Sequence, residues 1–498
     1  MRTAQRIEGR SAQEIRAVIE GFLANCRQPA LLEPGEELLP LESGNFALDF
    51  RGSRLTLEAW DHTRNLTRRI LAIRQESAAR MELVVERFGR REGQLFLLDL
   101  TRRAGMETGR RSARLVFRER FRIFLRRQFP EWNLAELSTE ANLESSLSPA
   151  FPRAFLRHGQ HGWAALACPP EGDEGAALSF ALIWLAYLRA RERRSVVGGL
   201  AIYVAAGREQ TAALRLLCLN PSTARFELFS YSPGDYVTRA DPRDHGNLDT
   251  RLEPCRRAME GKPWQTIVSL PGVEQIAKHN GNSSLRVRGL EFAELAGNEL
   301  LFGLGERRLA GDEQAAELQS LVAHLEAARS PDASNREHPL YRRNPEAWLE
   351  SQVREQIEIV DATLLRDPVY GQVPALAGGE RGILDLLAVD RSGRLAVVEL
   401  KATADLHLPL QALDYWIRVK WHLDRGEFSR QGYFPGVELR SDPPRLLLVS
   451  PSLEFHPTTE AILGFYAPAI EVERVGLGVE WRRGLQVMFR LRGADRPR

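Results

Sequence analysis

Asp385, Glu399 and Lys401 carry the clearest chemical signal in the sequence. They lie in two short apolar runs, ILDLLAV (Ile383–Val389) and RLAVVELKA (Arg394–Ala402), joined by DRSG. If Arg391–Gly393 form the connecting loop of a hairpin, Asp385 falls opposite Glu399, where facing Cβ atoms lie about 4.5–5.5 Å apart. A two-residue Ser-Gly turn would slip that pairing by one residue. Side chains alternate along a strand, so Lys401 shares a face with Glu399. The flanking residues make both strands apolar almost throughout, the pattern of strands covered on both faces. Charges placed there are costly unless paired or bound to a metal. Two neighbouring carboxylates repel, and a hard divalent cation relieves that repulsion. Mg2+ or Mn2+ is the expected occupant, held by Asp385, Glu399 and the carbonyl of Leu400. Such an ion polarises a phosphodiester, acidifies a bound water and steadies a leaving oxygen. A lysine beside it is a compact charge that can contact water and phosphate together.

The lysine is informative for a second reason. Of 68 basic residues only four are lysine (Lys262, Lys278, Lys401 and Lys420), leaving 64 arginines. One of the four falls at this position. The wider composition is that of an ordinary globular protein, 43% hydrophobic and 27% charged over 498 residues, with a formal net charge of +2. Disordered and fibrous classes are excluded, and the length allows about three domains at roughly 100–200 residues each. Cys26, Cys168, Cys218 and Cys255 are widely spaced, which argues against a disulfide framework or a structural zinc site and fits a cytoplasmic protein. The N-terminus lacks the apolar core of a signal peptide. The longest apolar run, near Ala176–Leu188, is shorter than the roughly 20 residues of a membrane span.

Elements that could position the three residues follow from periodicity. The polar, proline-bearing stretch Arg329–Pro345 reads as a linker. After it, a helix is expected from Pro345, then strand Val369–Leu376, a Gly-rich turn at Ala377–Gly382, the two strands above, helix Leu408–Leu423, and strand, helix, strand. Residues 151–330 read as a middle α/β domain, with strand Gly162–Cys168, helix Ala176–Arg191, strand Gly199–Ala205, helix Gln210–Cys218 and strand Arg225–Ser230. Residues 1–150 read as an α+β domain with a hairpin at Asn45–Trp60 and a basic helix near Ser112–Phe129. The expected fold class is therefore multidomain α/β.

In this setting ILDLLAVDRSGRLAVVELKA resembles the core of the PD-(D/E)XK nuclease superfamily, with Asp385, Glu399 and Lys401 matching its D…ExK signature. Gln411-Ala-Leu-Asp-Tyr415 is similar to the QxxxY motif of the RecB-like and NucS-like branches. Leu384 stands where the name-giving proline would be. The resemblance covers residues 340–498. It implies a restriction-endonuclease-like core, a mixed sheet flanked by helices, and Mg2+- or Mn2+-dependent hydrolysis of nucleic acid, DNA before RNA. It further implies Asp385 and Glu399 as metal ligands and Lys401 as the group that orients or activates water. Gln411 would orient groups at the site, and Tyr415 would brace it or touch the substrate backbone. Glu350 matches best the auxiliary acid of the first helix, with Glu346, one turn earlier, as its rival.

Other features carry less. Between Thr101 and Arg127 there are ten arginines against two glutamates. Arg118, Arg122 and Arg126 oppose a stripe of Phe117, Phe121, Phe124 and Leu125. This reads equally as a phosphate-tracking surface and as a solvated helix over a core stripe. Asp49 and Glu58 flank a hairpin but read as structural, with Trp60 where a lysine would be needed. His158 and His161 have no second ligand pair nearby, and Gly303-Leu304-Gly305 lacks the setting of a phosphate loop. The helix–strand order at Ala176–Ser230 echoes that at Leu408–Val472. A degenerate, non-catalytic copy of the C-terminal unit and a generic α/β pattern explain this echo equally. Two rival functions stay open: a binding or scaffold protein that kept the fold without turnover, and an enzyme acting on another phosphoester. The sequence carries no legible signal of oligomeric state.

Overall fold

The computed structural model describes residues 10–52, 54–61, 64–87, 91–248, 250–255, 264–278, 281–377 and 380–495. Among these residues the chain forms twelve α-helices and four β-sheets, a mixed α/β architecture of several units. No helix among them is long and apolar enough to cross a membrane.

The first unit opens with α1 (Ala12–Asn25). The Ser11 hydroxyl accepts from the Glu14 N–H while the Glu14 carboxylate accepts from the Ser11 N–H, a reciprocal cap that fixes the helix start. Ile15 and Ile19 pack on a seven-stranded antiparallel sheet, β1–β7, spanning Pro29–Asp99. The expected hairpin is β3 (Phe46–Arg51) and β4 (Arg54–Trp60). Asp49 pairs with Thr56 and Glu58 with Ala47, and Glu58 forms an ion pair with Arg51 across the hairpin.

Helix α2 runs Arg103–Gln128, starting nine residues before the expected Ser112. Gly105 permits the earlier start: a Cβ there would lie 2.2 Å from the Asp99 carbonyl oxygen, so the glycine brings the helix against the strand end. The stripe of Phe117, Phe121, Phe124 and Leu125 is buried against Tyr203, Phe229 and Tyr231.

These three aromatics belong to a six-stranded mixed sheet. Its strands are β8 (Asn133–Ser138), β9 (Arg153–His158), β10 (His161–Ala167), β11 (Val196–Ala205), β12 (Arg225–Tyr231) and β13 (Val237–Ala240), neighbours in chain order. The pairings run antiparallel, antiparallel, parallel, parallel, antiparallel. Parallel neighbours need crossovers, supplied by α3 (Glu174–Arg191) and α4 (Gln210–Leu216).

A separate five-stranded antiparallel sheet, β14–β18 (Val273–Leu309), follows, with α5 (Gln265–Val268) and α6 (Ala315–Ala328) and its own core. The expected middle domain 151–330 therefore holds two sheets, the first beginning at Asn133. Buried Ser283, Ser284 and Arg286 interrupt the apolar pattern of the second sheet, which hid its strands. The expected linker Arg329–Pro345 contains α7 (Pro339–Arg342) and ties rather than spaces. Arg329 is fully buried, donates to the carbonyls of Leu340, Arg343 and Arg288, and lies 4.7 Å from the Trp348 ring centroid.

The last unit begins with α8 (Pro345–Glu355) and α9 (Ile357–Val360). Strands β19 (Tyr370–Ala377), β20 (Glu380–Val389) and β21 (Leu395–Leu400) lead to α10 (Leu408–Asp424) and α11 (Glu427–Arg430). Then come β22 (Arg445–Pro451), α12 (Thr459–Leu463), β23 (Val472–Leu477) and β24 (Val487–Arg492). The Gly-rich turn expected at Ala377–Gly382 falls in part on Gly378 and Gly379, outside the described residues. The sheet again follows chain order, with the same succession of directions as β8–β13. Helix α8 covers one face through Trp348, Leu349 and Val353. Helix α10 covers the other, in a core continuous with that of α3.

Candidate functional site

The β20–β21 hairpin decides the geometry. Val389 pairs with Leu395 and Leu386 with Val398, and the Asp390 N–H donates to the Arg394 carbonyl. The connecting loop is thus Arg391–Gly393, and the paired residues end at Leu386 and Val398, one step short of Asp385 and Glu399. Gly393 has φ 87°, and a Cβ there would lie 2.1 Å from the Glu438 carbonyl oxygen. Only glycine fits both constraints, so this residue selects the three-residue loop and hence the register of the two strands.

Asp385, Glu399 and Lys401 converge at the sheet end, within reach of Glu346 on α8 and of Tyr415 on α10. Asp385 Oδ2 accepts from the Leu400 N–H at 2.9 Å, the contact through which Leu400 enters the site. Glu399 is fully buried, and neither carboxylate oxygen has a hydrogen-bond partner. Lys401 Nζ stands 3.7 Å from Glu399 Oε1 and 3.9 Å from Glu346 Oε2, beyond ordinary hydrogen-bond length. Burial pushes the Asp385 carboxyl up to about 7, against the pull of the Leu400 amide and Lys401. Burial, reinforced by Asp385, lifts Glu399 well above the usual carboxylate range. Burial alone would depress the Lys401 ammonium, and Glu399, Glu346 and Asp385 more than reverse it. A charged group left without partners in such a place is costly.

Helix α10 supplies the next layer. Gln411 and Tyr415, four apart, share a helix face, which sets the Gln411 amide beside the Tyr415 phenol. Burial, with Glu399 and Asp385 as neighbours, raises the Tyr415 phenol to about 12. Both residues line a cleft of about 630 Å³ between α10 and the α3–α4 side of the preceding sheet. Arg418, one position further along the same face, also lines it, 5.9 Å from the Tyr415 ring centroid and without a carboxylate partner among the described residues. Its guanidinium Nε is buried and makes no hydrogen bond. The sequence reading missed Arg418, although the spacing 411, 415, 418 continues the stripe by one helical step.

The first helix divides its two acids between different tasks. Glu350, the expected auxiliary acid, is buried and joined to Arg354 at 3.1 Å and to Arg286 at 3.5 Å. Glu346, its rival, is half exposed and faces Lys401. Both carboxylates still act on Asp385 through their charge. Glu350→Ala is expected to cost about 1–3 kcal/mol, because it removes a buried carboxylate from Arg286 and Arg354, which keep Ser284 and Glu274 as partners. Glu346→Ala is expected to leave stability unchanged and lower any turnover about tenfold. Denaturant midpoints and initial rates of the two variants check this pair of outcomes.

The candidate surface on α2 is less open than its composition implied. Arg118 and Arg122 both pair with Glu119, at 2.8 and 2.9 Å, and Arg120 pairs with Asp235. Arg126 is exposed, without an acidic partner among the described residues. The aromatic stripe is core, as one of the two readings held.

Among the described residues no group of three His, Cys, Asp or Glu side chains is gathered closely enough to hold an ion unaided. Asp385 and Glu399 supply two carboxylates, and a backbone carbonyl or Glu346 would have to complete the set. The orphaned oxygens of Glu399 and the hard donor chemistry fit a divalent cation of the Mg2+ or Mn2+ type. No protein-family model matches the chain, and no curated protein matches it.

Proposed function

We propose that the chain is a metal-dependent nuclease that hydrolyses phosphodiester bonds, DNA before RNA, with a restriction-endonuclease-like core formed by β19–β24 and their helices. The observation that carries this reading is the meeting of Asp385, Glu399 and Lys401 at one sheet end, with the Glu399 carboxylate buried and making no hydrogen bond. Asp385 and Glu399 would hold the cation, with the Leu400 carbonyl as a further donor. Once bound, the ion supplies Lewis acidity toward the phosphate and a more acidic water. Lys401, kept protonated by the acids around it, holds the water or the phosphate oxygen by its charge and stabilises the negative charge that develops. Gln411 and Tyr415 line the cleft on α10, and Tyr415 is near enough to Glu399 and Asp385 to feel their charge. Arg418 offers an unpaired guanidinium for a phosphate oxygen of the entering backbone.

Purified protein is to be incubated with end-labelled single- and double-stranded DNA and RNA, in Mn2+, in Mg2+ and in EDTA. Cleavage of DNA that requires the metal is the expected result. Binding without cleavage in every metal would favour a scaffold that has lost turnover. Arg418→Ala is expected to raise KM about tenfold, the loss of one charge-assisted contact of roughly 1.4 kcal/mol, with kcat little changed. Steady-state kinetics on a labelled duplex separates the two constants.

A further inference from the structure

The two six-stranded sheets are related by more than their strand directions. Ala164 lies beside Phe155 and Leu200, and Val397 lies beside Leu387 and Leu446. Onward, Leu200 pairs with Phe226 and Leu446 with Val472. Matching these ladders puts Arg153, Leu166 and Cys168 where the second sheet has Asp385, Glu399 and Lys401. None of the three could stand in chemically. Arg153 is buried, donates to the carbonyls of Ser148 and Glu140, and lies 5.4 Å from the Trp184 ring centroid. Cys168 is buried, and that burial lifts its thiol to about 12.

The two sheets also meet as equals. The Asn220 N–H donates to the Phe465 carbonyl at 2.8 Å, and the Ala467 N–H donates to the Cys218 carbonyl at 2.9 Å, around a bridge between Leu219 and Tyr466. Each loop leaves its helix, α4 or α12, and continues into proline, Asn220-Pro221 and Ala467-Pro468. The packing is reciprocal as well, α3 against α12 and α10 against α4, with Arg215 and Asp414 paired across the seam at 2.7 Å. Corresponding residues in mutual contact are the mark of a two-fold interface between copies. Here both copies lie in one chain, and the face that a symmetric partner would use is filled from within.

We propose that the chain acts on duplex DNA as an internal dimer with one cutting half, so that each binding event breaks a single strand. This rests on the nuclease reading above. The β8–β13 unit forms the opposite wall of the cleft beside Gln411, Tyr415 and Arg418 through α3, α4 and their loops. Of the acids it places there, Glu174 is paired with Arg208 and Asp173 caps α3, and none stands at the ladder positions that match Asp385 and Glu399. Each event adds one water across one phosphodiester. The water oxygen bonds to phosphorus, one P–O ester bond breaks, and the leaving oxygen takes up a proton.

The full chain is to be given a covalently closed, supercoiled DNA circle in Mn2+, while sedimentation reports its mass under the same conditions. Open circles accumulating ahead of linear molecules, at a rate proportional to enzyme and with the protein monomeric, are the expected result. Lys401→Met should slow every cut by the same factor, about 10³-fold, because the other half has none to make. Linear product from the outset, a rate rising with the square of enzyme concentration, or nicking by folded Lys401→Met near the parent rate overturns the inference and leaves the nuclease reading standing. A circle left whole by protein that cuts labelled single strands overturns it too. No cut of any substrate in either metal overturns the nuclease reading itself, and this inference with it.

Discussion

Lys401→Met is expected to reduce metal-dependent cleavage by about 10³-fold, the scale at which one electrostatic or proton-handling group at a reacting centre usually registers. Methionine keeps the length of the side chain and removes its charge. The fold should survive, because Lys401 stands beyond hydrogen-bond length from both Glu399 and Glu346. Lys401→Arg should not restore the rate, since a planar fork cannot occupy the place of a compact ammonium among three acids. The measurement is a single-turnover rate on a labelled duplex, with circular dichroism confirming the fold. A rate unchanged in Lys401→Met would place the chemistry elsewhere in the chain.

Glu399→Gln has two expected effects of opposite sign, and this opposition is its value. Cleavage should fall by about 10³-fold or more, because the variant removes a metal-binding charge from the reacting centre. Stability without metal should rise at pH 8, by about 1–3 kcal/mol, because a buried charge without hydrogen bonds is replaced by a neutral amide. The pH dependence follows from the direction of the shifts. Both acids have folded pKa values raised above their unfolded ones, Asp385 to about 7 and Glu399 further. Their contribution is therefore fully present below the unfolded range near pH 4 and is lost as pH rises through the folded values. The gain from Glu399→Gln should be seen at pH 8 and vanish below pH 4, where the carboxyl is protonated in the folded and the unfolded chain alike. Chemical denaturation of both proteins in EDTA at the two pH values checks this. A variant less stable than the parent at pH 8 would mean that Glu399 is not an uncompensated buried charge.

The parts of the site set by neighbours along the chain were readable in advance. The apolar strands, the glycine that ends the DRSG loop and the four-residue step from Gln411 to Tyr415 are local patterns, and α8 starting at Pro345 follows from proline's fixed φ. What stayed hidden depends on contacts between distant segments. Glu346 and Glu350 lie one turn apart on the same helix, and their division of labour is set by Arg286, from β15 (Ser283–Val287) of another sheet. The long start of α2 depends on Gly105 meeting the end of β7. The burial of Arg329 depends on carbonyls that a linear reading places in a polar connection. The echo between Ala176–Ser230 and Leu408–Val472 was visible as a pattern, but its weight comes from ladder registers and from the reciprocal loop contact, which no single segment encodes.

Two acids and one ammonium meeting around a divalent cation make a Mn2+ site, and Mn2+ titration followed by electron paramagnetic resonance reads its occupancy. The parent chain is expected to take up Mn2+, and Asp385→Asn and Glu399→Gln are each expected to lose this binding while remaining folded. Binding that persists undiminished in both variants, or no Mn2+ uptake by the parent at millimolar concentration, would contradict this site.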